Sequence, residues 1–347
     1  MTLSGIQKRL ERLLPVYWQE LERTHGLYRI SPLLSSGLRN FVLHPGKLLR
    51  PTLMVAGFSG YARKSVPGLY RAALAFELLH DFMLVHDDIV DHSSTRRGQP
   101  SLHCFFRHSL AGKGRGKVTG EDLALVAGDV LYAAALETFL TIKAAPGRKE
   151  KALRQFIKAA LLTGAGQFLE MEAGNREVEQ VSREQILRIY DLKTAGYSFA
   201  APLVTGALLA GAGPSKVKAL WCCGLCLGRA FQIRDDVLGL FGQEEKTGKS
   251  TLTDLQEAKK TLLLWRAFHH GETKHRTVIK AVLAKKVIAR SDLKKIQKIV
   301  METGSLTEAE REIKILLSRA RHWVTRSGMK RAYRQALLSY AGSVLLE

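Results

Sequence analysis

The chain has 347 residues, of which 46% are hydrophobic and 24% charged, and its formal net charge is +21. This length suggests one large domain or two ordinary ones, and the apolar fraction is that of a soluble globular protein. Nucleic acid is one possible partner for so basic a chain, but the sequence has no zinc-finger spacing, RNP-type aromatic motif or compact basic arm. We therefore expect no nucleic-acid partner.

The apolar pattern predicts helices along the whole chain, because prolines are few and no run alternates as a strand does. The predicted helices are 67–90, 121–142, 151–173, 184–211, 216–241, 255–270, 276–287, 290–302, 306–325 and 328–346. Short loops separate them, and none reads as an interdomain linker. We predict an all-α protein with a single domain over 1–347.

The excess of lysine and arginine is spread over 143–158, 259–298 and 311–334, where basic and apolar residues alternate at helical spacing. This spacing is typical of solvated helix faces. An anionic substrate would benefit from the charge, as would peripheral contact with an acidic membrane surface.

Cysteine is scarce, with Cys104 alone and Cys222, Cys223 and Cys226 in one apolar run. No second Cys/His pair accompanies them, so we interpret them as packing thiols rather than metal ligands. Few cysteines are typical of a reducing compartment, and the N-terminal sequence MTLSGIQKRLERLLPVYW has no signal-peptide pattern. We expect a cytoplasmic protein.

A cluster of carboxylates, DDIVD, closes the predicted helix 67–90. Asp87 and Asp91 are four residues apart and share one helix face, with Asp88 between them and His80 two turns earlier on the same stripe. Carboxylates this close repel one another unless a cation lies among them. An all-oxygen cluster suits Mg²⁺, which tends to share its coordination shell with substrate phosphates.

Further charged groups complete this pattern. A second acidic pair, Asp235 and Asp236 in FQIRDD, closes another apolar run, and Arg96 and Arg97 follow the first motif. Two guanidiniums can bind phosphate oxygens bidentately. The residues together describe a site that binds a diphosphate through metal ions.

Two more cations, Lys47 and Arg50, lie three residues apart in HPGKLLRP, at a predicted helix start. Backbone N–H groups at a helix start already favour an anion. Without the other motifs, these two residues would be interpreted as ordinary surface charge.

Taken together, the motifs resemble those of the trans-isoprenyl diphosphate synthase (polyprenyl synthetase) family, and most of all its short-chain geranylgeranyl and farnesyl synthases. The segments that carry the resemblance are GKLLRP, ELLHDFMLVHDDIVDHSSTRRGQPSLH, GQFLEMEAG, KTAGYSFAAP and FQIRDDVLGLFGQEEKTGKSTLTDLQEAKKTLL. The resemblance implies the isoprenoid synthase fold, a helical bundle around a deep central apolar cavity, usually as a homodimer. It also implies Mg²⁺-dependent head-to-tail condensation of isopentenyl diphosphate with an allylic diphosphate.

The resemblance further implies a role for each matching residue. Metal ligands would be Asp87, Asp91 and Asp235; catalysis would involve Asp87, Asp88, Asp91, Arg96, Lys193 and Asp235. Isopentenyl diphosphate would be bound by Lys47, Arg50, His80 and Arg97. The allylic diphosphate would be bound by Arg96, Lys193, Thr194, Gln232, Lys249 and Lys259.

Two features depart from the family pattern. The second motif reads DDVLG, so Gly239 stands where a third aspartate is often found, and we expect metal binding with one ligand fewer. The first motif lacks the two-residue insertion of one bacterial class of farnesyl synthases, which argues against that class.

Product length, by the same resemblance, depends on Phe82 and Met83, the fifth and fourth residues before the first motif. One aromatic followed by methionine resembles geranylgeranyl synthases, with farnesyl or longer products as the alternative. An ideal helix places Met83 nearer the aspartate face than Phe82, and both residues also fit ordinary core packing.

Two other functions compete with this interpretation. A terpene cyclase also ionises an allylic diphosphate, but it has no need of a second diphosphate site. A non-catalytic partner subunit would be expected to lose its acidic motifs, whereas this chain keeps the first one whole.

Overall fold

The structure, a computed structural model, describes residues 2–111, 116–242 and 251–346. Helices dominate these residues, and the prediction of an all-α fold is confirmed. The α-helices in chain order are α1 Leu3–His25, α2 Leu27–Ile30, α3 Pro32–Val42, α4 Leu49–Ser59, α5 Leu69–Val90, α6 Leu102–Leu110, α7 Gly120–Leu140, α8 Pro146–Gly174, α9 Arg183–Ile189, α10 Ala201–Leu209, α11 Pro214–Phe241, α12 Thr253–Gln256, α13 Leu262–His270, α14 Thr273–Leu283, α15 Arg290–Glu302, α16 Ser305–Arg326 and α17 Arg331–Leu346.

Three short elements complete the fold. A two-residue antiparallel hairpin joins β1 (Thr95–Arg96) to β2 (Gln99–Pro100), and a 3₁₀ turn spans Val178–Gln180. A π-helix spans Tyr190–Ala200 between α9 and α10.

The chain divides into two compact units. The first unit comprises Met1–Leu153 and Thr205–Gly211, and the second comprises Arg154–Val204 and Ala212–Glu347. The single domain expected from the sequence stays a prediction.

The core of the first unit lies between α5 and α7. Phe76 and Leu79 of α5 and Leu131 and Phe139 of α7 are fully buried there. Side chains of this size contribute about 1.5–3 kcal/mol each when they leave water. This packing fixes α5, and therefore the aspartates at its end, against a rigid neighbour.

Small residues let the central helices of the second unit approach closely. A Cβ at Gly228 of α11 would lie 2.3 Å from the Cα of Ala195, and one at Gly224 would lie 2.4 Å from that of Ala200. The predicted helix 184–211 is helical throughout, but it changes from α to π and back. The small residues that interrupt its apolar pattern are those that α11 packs against.

The prediction of one continuous helix over 255–270 is wrong. Helix α12 ends at Gln256, and α13 begins at Leu262 after its N-cap Thr261, whose hydroxyl accepts from the Leu264 N–H. Between them, Ala258 has a left-handed backbone with φ of 50°. Apolar periodicity does not report such a break.

Of the residues that the structure describes, one helix is long and apolar enough to cross a membrane by length and composition alone. It is α7, and 44% of its most apolar window is buried inside the protein. A core helix passes the same test, so this is weak evidence for a span.

The close packing of the first unit can be tested at Gly206 of α10. A Cβ there would lie 2.0 Å from the carbonyl oxygen of Met54. We expect Gly206→Ala to lower the free energy of unfolding by about 1–3 kcal/mol, as overpacking does. In contrast, a Cβ at Gly164 in α8 meets nothing within 4 Å, and Gly164→Ala should raise stability by about 0.5–1 kcal/mol. Urea denaturation measures both, and a Gly206→Ala variant as stable as wild type would contradict the packing.

Candidate active site

The first acidic motif lies at the C-terminal end of α5, in the first unit. Asp87 is half-buried in the last turn, and Asp91 follows the helix as its C-cap, with its N–H donating to the Asp87 carbonyl at 2.8 Å. The two residues are therefore one turn apart, as the sequence predicts. Acids oppose the macrodipole at this end of a helix, so this placement is unfavourable without a cation.

Asp88 has a different environment from its neighbours. It is fully buried, and Arg96 of β1 donates to its Oδ1 from both Nε, at 2.9 Å, and Nη2. Burial opposes the charge of Arg96, but the hydrogen bond and charge of Asp88 outweigh it and raise the pKa of the guanidinium. Asp88 therefore holds Arg96 beside Asp87 and Asp91.

Arg97 has a left-handed backbone with φ of 54°, and its side chain turns away from that of Arg96. Its Nη1 donates to the carbonyl oxygen of His44 at 2.8 Å. Its guanidinium also lies 3.6 Å from a carboxylate oxygen of Glu77 and 3.5 Å from one of Asp81. Sequence reasoning missed both carboxylates, although two acids four apart in an apolar helix were a visible signal.

The other cations predicted for isopentenyl diphosphate lie on nearby elements of the same unit. Lys47 is exposed in the loop before α4, and Arg50 is half-buried in the first turn of α4. His80 is half-buried on α5, two turns before Asp87.

The acidic motif fits a magnesium ion in its donor chemistry. Within the described parts of the chain, no group of three or more His, Cys, Asp or Glu side chains forms a ready metal site. Mg²⁺ does not require one, because it is commonly held by one or two carboxylates together with water and substrate phosphates. Asp87 and Asp91 supply such a pair, while Asp88 is bound to Arg96.

In the second unit, the π-helix carries Lys193 and Thr194. A Cβ at Gly166 of α8 would lie 2.8 Å from the Lys193 nitrogen, so α8 packs directly against this turn. Glu170, one turn further along α8, forms an ion pair with the Lys193 ammonium. π-helical turns are rare and frequent at functional sites, and this one presents both predicted residues.

A hydrogen-bond network joins the π-helix to the second acidic motif. Thr194 donates to Gln232 at 2.6 Å, Gln232 donates to Asp236 at 2.9 Å, and the Tyr190 hydroxyl donates to the other oxygen of Asp236. Burial raises the pKa of Asp236 well above its usual value, although both hydrogen bonds lower it. Asp235, the residue before Asp236, is exposed, and its role as a metal ligand stays a prediction.

Gly239 is explained by its neighbour Asp254. A Cβ at Gly239 would lie 2.2 Å from Oδ2 of Asp254, so this carboxylate occupies the space of a side chain at 239. The Lys259 ammonium lies 3.6 Å from Asp254 and forms an ion pair with Glu257. Lys249, the remaining predicted cation, lies outside the described residues.

The two residues predicted to limit product length are half-buried on α5. The Phe82 ring contacts that of His86, with centroids 4.6 Å apart, and that of Tyr132 on α7, with centroids 5.2 Å apart. Phe82 is therefore braced by aromatic neighbours.

Comparisons with known proteins show which family the chain resembles. A model of the polyprenyl synthetase family matches residues 31–300. A geranylgeranyl diphosphate synthase of Saccharolobus solfataricus is 33% identical over 74% of this chain and 72% of its own, and a geranylfarnesyl diphosphate synthase of Aeropyrum pernix is 33% identical over 84% and 87%. The crystal structure of a geranylgeranyl pyrophosphate synthase from Corynebacterium glutamicum, complexed with isoprenyl diphosphate and magnesium, superposes with a TM-score of 0.89 at 27% identity and covers 99% of both chains.

The fold, the acidic motifs and these matches define an all-α prenyltransferase. The chain belongs to the polyprenyl synthetase family.

The network around Asp236 gives a testable consequence. Tyr190→Phe removes a donor from a buried carboxylate and an acceptor from the Leu262 N–H, so we expect the free energy of unfolding to fall by about 1–3 kcal/mol. Tyr28 is 65% exposed, and Tyr28→Phe should change stability by less than about 0.5 kcal/mol. Equal stability of the two variants in urea would show that the network is unimportant.

Proposed function

We propose that the protein condenses isopentenyl diphosphate with an allylic diphosphate, in the presence of Mg²⁺, to make an all-trans short-chain prenyl diphosphate, mainly geranylgeranyl diphosphate. The observation that carries the proposal is the pair Asp87 and Asp91 one turn apart at the end of α5, with Arg96 held beside them by buried Asp88. Of the three relatives named above, two are geranylgeranyl synthases and one is a geranylfarnesyl synthase, which supports the same activity.

The reaction breaks the C–O bond of the allylic diphosphate and joins its carbon to the alkene of isopentenyl diphosphate. Diphosphate is a poor leaving group, so cations such as Arg96 stabilise the negative charge that develops on it. Bound Mg²⁺ would supply further charge neutralisation at Asp87 and Asp91. The proton lost after bond formation goes to the departing diphosphate.

In this proposal, Asp254 supplies the third carboxylate of the second acidic motif in place of an aspartate at position 239. Asp235 and Asp236 keep their places, and Asp254 stands where the side chain of an aspartate at 239 would project. Thr194, Gln232 and Lys259, with Lys249, bind the allylic diphosphate.

Two observations support proposals about the oligomeric state and the cellular location of the protein. We propose a homodimer, because α8 exposes an apolar row that includes Leu161 (67% exposed) and Phe168 (66%), far more than a solvated helix requires. All four cysteines are free thiols, which supports a cytoplasmic location in a reducing compartment. Contact with an acidic membrane stays a prediction.

Product analysis tests the activity directly. The protein is incubated with Mg²⁺ and each allylic starter, dimethylallyl, geranyl or farnesyl diphosphate, with and without isopentenyl diphosphate. We expect a twenty-carbon diphosphate by mass spectrometry, formed only with both substrates. A cyclic hydrocarbon from the allylic substrate alone would instead identify a terpene cyclase, and no product at all would fit a non-catalytic subunit.

Asp87→Asn should reduce turnover by about a hundredfold or more, since it removes a carboxylate that would hold the Mg²⁺ ion that neutralises the leaving group. The fold should be unchanged. Asp129→Asn, at an aspartate with 65% side-chain exposure on α7, serves as the control and should keep wild-type turnover. Wild-type rates in Asp87→Asn at saturating Mg²⁺ would exclude this residue from the site.

Gly239→Ala tests the substituted carboxylate. The new methyl group displaces the Asp254 carboxylate, so the Mg²⁺ concentration for half-maximal activity should rise about tenfold, the range seen when outer-shell groups are lost. Stability should change by less than about 1 kcal/mol, because the end of the Asp254 side chain can move. An unchanged Mg²⁺ requirement would remove Asp254 from the proposal.

Product length tests Phe82 and Met83. Phe82→Ala removes a ring braced by Tyr132 and should lengthen the product, whereas Met83→Phe should shorten it toward farnesyl diphosphate. The mechanism is steric, because packed side chains do not move aside cheaply for a growing apolar tail. If both variants keep the wild-type distribution, the length limit lies elsewhere.

A further inference from the structure

Two carboxylates lie deep inside the first unit at positions that the proposed reaction does not use. Glu77 and Asp81 are one turn apart on α5, with exposed fractions of 1% and 0%. The Oδ2 atom of Asp81 is buried without a hydrogen-bond partner. Carboxylates this deep are unfavourable unless paired, so the fold has to compensate for them.

Their compensation comes from two arginines. Burial raises the pKa of Glu77 above its usual value and that of Asp81 well above it, while Arg97 and Arg50 lower both. A raised pKa means that ionisation of either acid opposes folding as the pH rises past the unfolded value. The pair therefore lowers the free energy of unfolding at neutral pH. A role in packing alone does not explain why two such acids are buried here.

The guanidinium of Arg97 is confined on several sides. Glu77 lies 3.6 Å and Asp81 3.5 Å from it on the α5 side, and the His44 carbonyl oxygen accepts from Nη1 at 2.8 Å. Gly46 approaches from the loop, since a Cβ there would be 3.6 Å from Nε and from Nη2. The two carboxylates contact the guanidinium from α5, and His44 and Gly46 approach it from the loop before α4.

We propose that Glu77 and Asp81 are positioning residues for Arg97, which fix its guanidinium for the diphosphate of isopentenyl diphosphate. The inference rests on the proposed function, which assigns Arg97 to that substrate. The carboxylates contact the guanidinium of Arg97, so we assign their effect on the substrate to Arg97, with Arg50 as the second arginine whose charge acts on them. A preformed cation loses less entropy when the anion binds.

Two effects of the carboxylates have opposite signs, which makes the proposal testable. A carboxylate near a diphosphate repels it, so simple removal of negative charge would strengthen binding. Loss of positioning would weaken binding, because Arg97 would no longer be held toward the substrate. The proposal states that positioning is the larger effect.

The test measures KM for each substrate in Asp81→Asn and Glu77→Gln, which remove the charge and keep the shape. We expect KM for isopentenyl diphosphate to rise about tenfold in each, with KM for the allylic substrate changed less than about twofold. Melting temperatures, measured in parallel, should be at or above the wild-type value. If one variant fails to fold, the other carries the test.

A double-mutant cycle separates positioning from a direct effect on the anion. In the Arg97→Ala background, Asp81→Asn should change KM for isopentenyl diphosphate by less than about twofold. The matched control is Glu20→Gln. It removes a carboxylate that accepts two hydrogen bonds from Arg71, a residue of α5, and it should leave both KM values unchanged.

The possible outcomes are distinct. An unchanged or lower KM for isopentenyl diphosphate in both single variants overturns the inference, as does an undiminished effect of Asp81→Asn without Arg97. Equal increases in both KM values mean a purely structural role and also overturn it. Failure of Arg97→Ala itself to raise this KM would contradict the proposed function, because Arg97 would then not bind that substrate.

Discussion

A cation that is held in place beforehand loses less entropy when an anion binds, and in this protein carboxylates contact several of the cations that we assign to the substrates. Among the described residues, four of the cations assigned to the two diphosphates form ion pairs with acidic partners within their own unit. The pairs are Arg96 with Asp88, Arg97 with Glu77 and Asp81, Lys193 with Glu170, and Lys259 with Asp254 and Glu257. The protein therefore combines a strongly basic composition with a site in which positive charge is locally balanced.

Helix α5 shows how one element meets several demands. Its apolar residues pack against α7, its last turn presents Asp87, and its interior carries the acids that contact Arg97. A helix of 22 residues can do this because successive turns place functional groups at fixed intervals along one rigid axis. The same rigidity fixes Phe82 and Met83 at a constant distance along the helix from the aspartates.

Much of the fold and part of the site could be predicted from the sequence. Helical periodicity located most of the helices after residue 67 to within a few residues, but the predicted ranges did not include α1, α2, α3 or α6. The spacing of Asp87 and Asp91 placed both residues at one helix end. The break at Ala258 was not predictable, since a single residue with positive φ leaves no periodic signal. The contacts of Asp254 and Asp81 were also missed, because they join residues far apart in the chain. Such pairings depend on tertiary packing, which one sequence does not encode in any local pattern.

The π-helix over Tyr190–Ala200 has a consequence for how this chain tolerates insertions and deletions. Its wider turns change the direction of every side chain that follows, relative to a regular α-helix of the same length. Deleting one residue here would favour a return to α-helical register and would rotate Lys193 away from Glu170, without altering any residue of the site. Surface loops commonly accept such length changes, so this segment should be among the least variable in length across related chains.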